Sequence, residues 1–127
     1  MRPAIKPHIL FVEDDQDTRE LVQILLGQDG FRVSVTGEPD EVMELIATDH
    51  FDALLLDNWM PELTGIELCQ RIRSFDQKTP ILFCSGAVTE SDKEAALNAG
   101  AQGYVAKPFD PDELSATLRA ALNIRTV

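Results

Sequence analysis

The chain has 127 residues, of which 44% are hydrophobic, and this is the length and apolar content of one folded domain. Its 22 acidic and 11 basic residues give a formal net charge of −11. That charge argues against nucleic acid or an anionic membrane surface as a direct partner, because both are bound through basic faces. No stretch resembles a signal peptide or a membrane span, so we expect a cytoplasmic protein.

The first half of the chain alternates short apolar runs with patterns typical of helices. Its predicted elements are a strand at 8–12, a helix at 18–30, a strand at 31–35, a helix at 39–49 and a strand at 52–57. The first helix is expected to bury a face formed by Leu21, Ile24, Leu25 and Leu26. The last of these strands, "DALLLD", is apolar between its two acids, which is typical of a central parallel strand buried on both faces.

The second half repeats the alternation. Its predicted elements are a helix at 65–75, a strand at 80–84, a helix at 91–100, a strand at 103–106 and a helix at 110–124. In the last helix, Asp110 is expected to be the N-cap and Pro111 the first helical residue. Gly65 is expected to take a positive φ in the turn before its helix.

Cys69 and Cys84 are both expected to be buried thiols. They form no C-x-x-C pair and have no paired histidines nearby, so the sequence indicates neither a zinc site nor a disulfide framework. The spacing of Cys69 from its helical neighbours and the apolar run around Cys84 favour packing in a reducing compartment.

Five strand–helix pairs in succession predict an α/β fold with a doubly wound, five-stranded parallel sheet. The expected strand order is the flavodoxin-like 2-1-3-4-5. We expect residues 1–127 to form a single domain with its core at about 8–122, and no effector domain in this chain. In such sheets ligands bind beyond the carboxyl ends of the strands, where the strand order reverses.

Polar side chains follow four of the five predicted strands. They are Glu13, Asp14 and Asp15 after the first strand, Asp57 after the third, Ser85 and Gly86 after the fourth, and Lys107 and Pro108 after the fifth. Each group alone could be an ordinary loop or helix cap, and Asp15 is best explained as a helix-entry residue. Thr36 and Gly37, after the second strand, carry nothing distinctive. The whole set on one sheet edge predicts a site.

The chemistry of this site follows from its charges. Clustered carboxylates repel one another, and a hard divalent cation with oxygen ligands, such as Mg²⁺, removes that repulsion. Aspartate can accept a phosphoryl group as a nucleophile, so Asp57 is the candidate acceptor. The Lys107 ammonium and the Ser85 hydroxyl are candidates for contacting the charged phosphoryl oxygens.

Four stretches carry a resemblance to a known family: "ILFVEDD", "LLLDNWMPELTG", "ILFCSGA" and "GYVAKPF". In this order and spacing, the chain resembles the receiver domain of two-component response regulators over about residues 8–122. The resemblance implies that Asp57 is the phosphoacceptor and that Lys107 binds the phosphoryl group. It implies a Mg²⁺ (or Mn²⁺) site whose ligands are Glu13, Asp14, Asp57 and the backbone carbonyl of Trp59.

The resemblance also implies a conformational switch formed by Ser85 and Tyr104, and a cis peptide bond between Lys107 and Pro108. Two residues depart from the family's most frequent form: Glu13 stands where Asp is commoner, and Trp59 is bulky for its position. Trp59 is therefore where we expect this chain's individual behaviour to lie.

The implied activity is that of a stoichiometric phosphoacceptor rather than an enzyme. The implied donor is a sensor histidine kinase or a histidine phosphotransfer protein, and the output would be a changed surface on helix 4, strand 5 and helix 5. That surface is also a candidate for homodimer formation, and the downstream protein or fused effector is left open.

Two alternatives stay open. One is an aspartate-nucleophile phosphohydrolase, although Trp59 stands where such enzymes carry a second acid. The other is a receiver-like interaction module that has lost phosphorylation, although the five residues Glu13, Asp14, Asp57, Ser85 and Lys107 are all present.

Overall fold

The computed structural model describes residues 6–57, 64–86, 89–107 and 110–122. In chain order, the elements are β1 (His8–Val12), α1 (Gln16–Gln28), β2 (Arg32–Thr36), α2 (Pro39–Thr48), β3 (Ala53–Asp57), α3 (Gly65–Arg73), β4 (Ile81–Ser85), α4 (Glu90–Ala99), β5 (Gly103–Ala106) and α5 (Pro111–Ala121). All strand pairs are parallel and the sheet order is β2-β1-β3-β4-β5. The predicted fold class and strand order are confirmed.

Helices cover both faces of the sheet, each over its own apolar cluster. On one face, α2, α3 and α4 pack over side chains that include Leu10, Leu54 and Phe83. On the other face, α1 and α5 pack over side chains that include Phe11 and Leu55. Every residue of β1, β3 and β4 is buried, as expected for central parallel strands. Cys69 and Cys84 are free thiols buried in these clusters, as predicted.

Side-chain caps explain where several helices begin. The Asp15 carboxylate accepts a hydrogen bond from the backbone N–H of Thr18 at 2.9 Å, so α1 starts at Gln16, two residues before the predicted start. This confirms Asp15 as a helix-entry residue. Asp110 caps α5 and Pro111 is its first residue, as predicted.

One local prediction is wrong in part and another is wrong. The predicted buried face of α1 is confirmed at Leu26 but wrong at Leu21 and Ile24, which are 53% and 58% exposed, and Val22 is the other buried residue of the helix. The sheet covers only the narrow stripe on which residues four apart stack, so the apolar positions beside that stripe remain in solvent. Gly65 does not take a positive φ, because Thr64 caps the helix and Gly65 is already its first helical residue.

The strand register brings the predicted site residues together. Val12 pairs with Leu56, so Glu13 and Asp57 lie side by side just beyond that pair. Asp57 pairs with Cys84, the residue before Ser85, and Ser85 pairs with Ala106, the residue before Lys107. Within the described ranges, no helix is long and apolar enough to cross a membrane.

Candidate functional site

Three carboxylates meet at the carboxyl edge of the sheet. Ligand oxygens of Glu13, Asp14 and Asp57 all lie within 4.8 Å of one another. Glu13 and Asp57 are only 1% and 4% exposed, whereas Asp14 is exposed. The arrangement offers an all-oxygen donor set that opens to solvent on one side, which is the kind of site that a hard divalent cation prefers.

Lys107 lies against two of these acids. Its Nζ donates a hydrogen bond to Oε1 of Glu13 and lies 3.6 Å from Oδ2 of Asp57. The backbone N–H of Lys107 also donates to the carbonyl oxygen of Ser85 at 2.9 Å, which fixes where the side chain starts. Among the described residues of this edge, the Lys107 ammonium is the positive charge that offsets the negative charges of the two buried carboxylates.

The pKa values reflect the crowding. Burial raises the pKa of Glu13, and the neighbouring Asp57 raises it further, while the hydrogen bond from Lys107 acts in the opposite direction. Burial and the neighbouring Glu13 also raise the pKa of Asp14. Burial lowers the pKa of Lys107, but its bond to Glu13 and the nearby acids more than offset this, so the net shift is upward. The crowded acids of this edge therefore carry negative charge at an electrostatic cost.

Ser85 and Tyr104 lie beside the acids on β4 and β5. Ser85 is fully buried. The Tyr104 ring lies 6.2 Å from that of Phe83, between centroids, and packs at the edge of the core cluster under α4. Burial raises the pKa of Tyr104, and the neighbouring Ser85 hydroxyl only partly opposes the shift. The Tyr104 hydroxyl is buried, yet it makes no hydrogen bond of acceptable geometry in the described ranges.

Arg19 is a residue near the site that the sequence interpretation missed. One nitrogen of its guanidinium, Nη1, donates to the backbone carbonyls of Glu13 at 2.8 Å and of Asp14 at 2.9 Å. The partners of Arg19 are backbone atoms, so no side-chain pattern in the sequence marks them. An arginine one helical turn after three acids was the available signal, and alone it is weak.

Two predictions fall outside the described residues. They are the role of the Trp59 backbone carbonyl as a metal ligand and the cis peptide bond before Pro108. Both stay predictions.

The fold and the site together define a class of protein: a doubly wound α/β domain with buried acids and a lysine at the ends of its strands. Within that class, the chain belongs to the response regulator receiver domain family, whose model matches residues 9–119. The resemblance inferred from the sequence is thereby confirmed, and receiver domains of this family are parts of two-component systems.

Curated relatives and solved structures agree with this assignment. The chain is 41% identical over 114 residues to response regulator MprA of Mycobacterium ulcerans, covering 90% of this chain and 49% of that protein. It is 40% identical over 118 residues to MprA of Mycolicibacterium vanbaalenii, covering 93% and 51%. The chain thus spans about half the length of the curated relatives it matches.

Among solved structures, the chain superposes on the BeF3-activated N-terminal receiver domain of RstA from Klebsiella pneumoniae. The TM-score is 0.85 with 33% identity, over 91% of this chain and 97% of that one. It also superposes on a putative response regulator from Chloroflexus aurantiacus. There the TM-score is 0.84 with 35% identity, over 93% and 99% of the two chains.

Proposed function

We propose that this chain is a phosphoryl-accepting receiver that takes the phosphoryl group of a phosphohistidine onto Asp57 in a Mg²⁺-dependent reaction. The observation that supports this most strongly is the juxtaposition of three carboxylates within 4.8 Å with an ammonium 3.6 Å from Asp57. A nucleophile, a cation site and a nearby positive charge are the parts that phosphoryl transfer to a carboxylate needs.

The residues present fit a divalent cation. Glu13 and Asp57 are buried acids, and the pKa of Glu13 is raised by burial and by Asp57, so a cation would relieve a real electrostatic cost. The proposed ligands are Glu13, Asp14, Asp57 and the backbone carbonyl of Trp59. When bound, Mg²⁺ (or Mn²⁺) would neutralise charge on the transferring phosphoryl oxygens.

In the proposed transfer, one carboxylate oxygen of Asp57 forms a bond to phosphorus while the P–N bond to the donor imidazole breaks. The electron pair of that bond remains on the imidazole nitrogen. Lys107 would leave its hydrogen bond with Glu13 and contact a phosphoryl oxygen, a role that suits a point charge on a flexible stem. The chain is then a stoichiometric phosphoacceptor that assists its own reaction, and not a turnover enzyme.

The output would be carried by Ser85 and Tyr104. Ser85 is buried beside Asp57, so its hydroxyl is near enough to respond to a new phosphoryl group. Movement of Ser85 would change the polar surroundings of the buried Tyr104 hydroxyl. That hydroxyl makes no hydrogen bond of acceptable geometry within the described residues. The affected surface would be α4, β5 and α5, acting by a shift in population between two states.

The proposed donor is a sensor histidine kinase or a histidine phosphotransfer protein. We further propose that residues 1–127 form a single receiver domain with its core at about 8–122 and carry no effector. Output would then pass to a separate downstream protein or a fused effector, or act through homodimer formation at α4, β5 and α5.

Acetyl phosphate and intact-mass spectrometry test the proposed reaction. With Mg²⁺, we expect a base-labile adduct with the mass of one phosphoryl group on the wild type, and none with chelator or on Asp57→Asn. An equal adduct on Asp57→Asn would refute the assignment of the acceptor. Sustained turnover of phosphomonoesters would instead favour the phosphohydrolase alternative.

A further inference from the structure

Arg19 ties α1 to the loop that carries two of the clustered acids. Its guanidinium reaches from α1 back over the loop that carries Glu13 and Asp14, and a single nitrogen donates to the carbonyls of both residues. The same loop is tied to the end of β2, because the backbone N–H of Glu13 donates to the carbonyl of Thr36 at 3.0 Å. The backbone of Glu13 is thus held from two sides, and that of Asp14 is held by Arg19.

Gly37 leaves the space that Arg19 occupies. A Cβ atom built on Gly37 would lie 2.4 Å from Arg19 Nη1, closer than real side chains approach, and 3.2 Å from Arg19 Cζ and 3.3 Å from the backbone carbonyl oxygen of Glu13. The φ of Gly37 is not positive, so its backbone does not require glycine. Position 37 is unremarkable in the sequence. Because glycine has no side chain there, the Arg19 guanidinium can reach both carbonyls.

The geometry matters because the direction of each acid depends on its own backbone. Glu13 is buried and bound to Lys107, whereas the side chain of Asp14 is exposed. Fixing the carbonyls of Glu13 and Asp14 fixes where both side chains start. A charge-assisted bond to a carbonyl is stronger than a neutral one, and groups that orient ligands commonly affect metal affinity about 10–100-fold.

We infer that Arg19 is a positioning residue for the cation site, and that Gly37 is the clearance that permits it. Arg19 touches neither the phosphoryl group nor the cation in this scheme; it acts through the backbone of Glu13 and Asp14. The inference rests on the proposed function, since it assumes that these acids bind a divalent cation.

Mn²⁺ binding by electron paramagnetic resonance gives a readout that does not depend on phosphoryl transfer. Arg19→Met keeps the apolar stem and removes the donors, and we expect the Mn²⁺ dissociation constant to rise about tenfold. Arg19→Lys restores an ammonium that can reach the carbonyls, and most of the affinity should return. Gly37→Ala keeps the charge but displaces the guanidinium, so the dissociation constant should rise in the same direction.

A double-mutant cycle separates positioning from general effects. In the Arg19→Met background, Gly37→Ala should raise the dissociation constant clearly less than it does in the wild type, because the guanidinium is already gone and only the milder contact with the Glu13 carbonyl oxygen, at 3.3 Å, remains. Arg32→Met, at the start of β2, removes the same charge far from the site. Gly27→Ala adds a methyl group where no atom lies within 4 Å. Neither control should change Mn²⁺ binding.

Two failures are distinguishable. If the wild type binds no Mn²⁺, the proposed cation site is wrong. If the wild type binds Mn²⁺ and both Arg19→Met and Gly37→Ala bind it equally well, the positioning role is overturned while the proposed function stands. Should Arg19→Met fail to fold, Gly37→Ala and Arg19→Lys decide the question, because the atoms nearest to a Cβ at position 37 are the far end of a flexible side chain.

Discussion

Replacing Lys107 with methionine tests how far this lysine stabilises the buried acids of the site. The side chain of Lys107 is 24% exposed and its partner Glu13 is 1% exposed, so the substitution removes the positive charge beside a buried acid. Methionine has a similar length and no charge, which keeps the change close to an electrostatic one. The substitution leaves Glu13 and Asp57 as neighbouring buried carboxylates.

The magnitude follows from the distances. At 3.6 Å from Asp57, an ammonium contributes about 4–5 kcal/mol of attraction at an effective dielectric constant of about 20. Removing one partner of a buried ion pair typically costs about 3–5 kcal/mol. Because Lys107 is partly exposed, and its own desolvation is relieved by the change, we expect the free energy of unfolding to fall by about 2–4 kcal/mol at neutral pH.

The loss should depend on pH with a definite sign. The pKa of Glu13 is raised above its ordinary value of 4.5 in the folded protein, so its contribution to stability declines as pH rises from that value through the raised pKa. Lys107 lowers the pKa of Glu13 through its hydrogen bond, so the decline should extend to higher pH in Lys107→Met. The loss caused by Lys107→Met should therefore be smaller at an acid pH, near the ordinary Glu13 pKa of 4.5, than at an alkaline pH.

Urea denaturation at both pH values, with and without Mg²⁺, measures these differences. Mg²⁺ should stabilise Lys107→Met more than the wild type, because Lys107 competes with the cation for Glu13. Lys93→Met is the matched control, since Lys93 forms an exposed pair with Glu90 at 3.8 Å and should change stability by less than about 0.5 kcal/mol. Equal losses at the two pH values, with no larger gain from Mg²⁺, would refute the reasoning.

Three further changes have separate expected outcomes. Asp14→Asn should leave the free energy of unfolding within about 1 kcal/mol of the wild type, because Asp14 is exposed, but should remove most of the rise in melting temperature that Mg²⁺ produces. Gly100→Ala should destabilise the protein by about 1–2 kcal/mol in urea denaturation, since Gly100 has φ +111° and a Cβ there would lie 2.8 Å from Arg73 Cγ; an unchanged midpoint would contradict this. Tyr104→Phe should be neutral or slightly stabilising by the same measurement, because it removes a buried hydroxyl that makes no hydrogen bond in the described ranges, and a clear loss would show that the hydroxyl has a partner.

The carboxyl edge could be predicted from the sequence because it depends on strand order and strand ends. Continuous apolar runs mark the buried strands, and the residue after each run must lie at one edge of a parallel sheet. The buried face of α1 could not be predicted in this way. Leu21 and Ile24 are as apolar as the buried Val22 and Leu26, and only the position of the sheet decides which of them it covers.

Arg19 and Gly37 escaped prediction for a different physical reason. Their roles lie in a bond to backbone carbonyls and in an empty volume, and neither leaves a pattern of side-chain types. A glycine is usually interpreted through its backbone freedom, but Gly37 has an ordinary φ. The space at Gly37 can be recognised only when the position of the Arg19 side chain is known.

Lys107 connects the acidic cluster to the edge strand β5. Lys107 follows β5 directly, and Tyr104 lies three residues earlier on that strand. β5 is less buried than its neighbour β4. Beside Tyr104, Leu97 and Lys93 of α4 line a groove of about 300 Å³. If phosphorylation draws Lys107 from Glu13 to the phosphoryl group, the movement of Lys107 would shift β5 rather than the fully buried central strands. An edge strand of the sheet would then carry the signal, because packed interiors shift between discrete arrangements while edges can adjust.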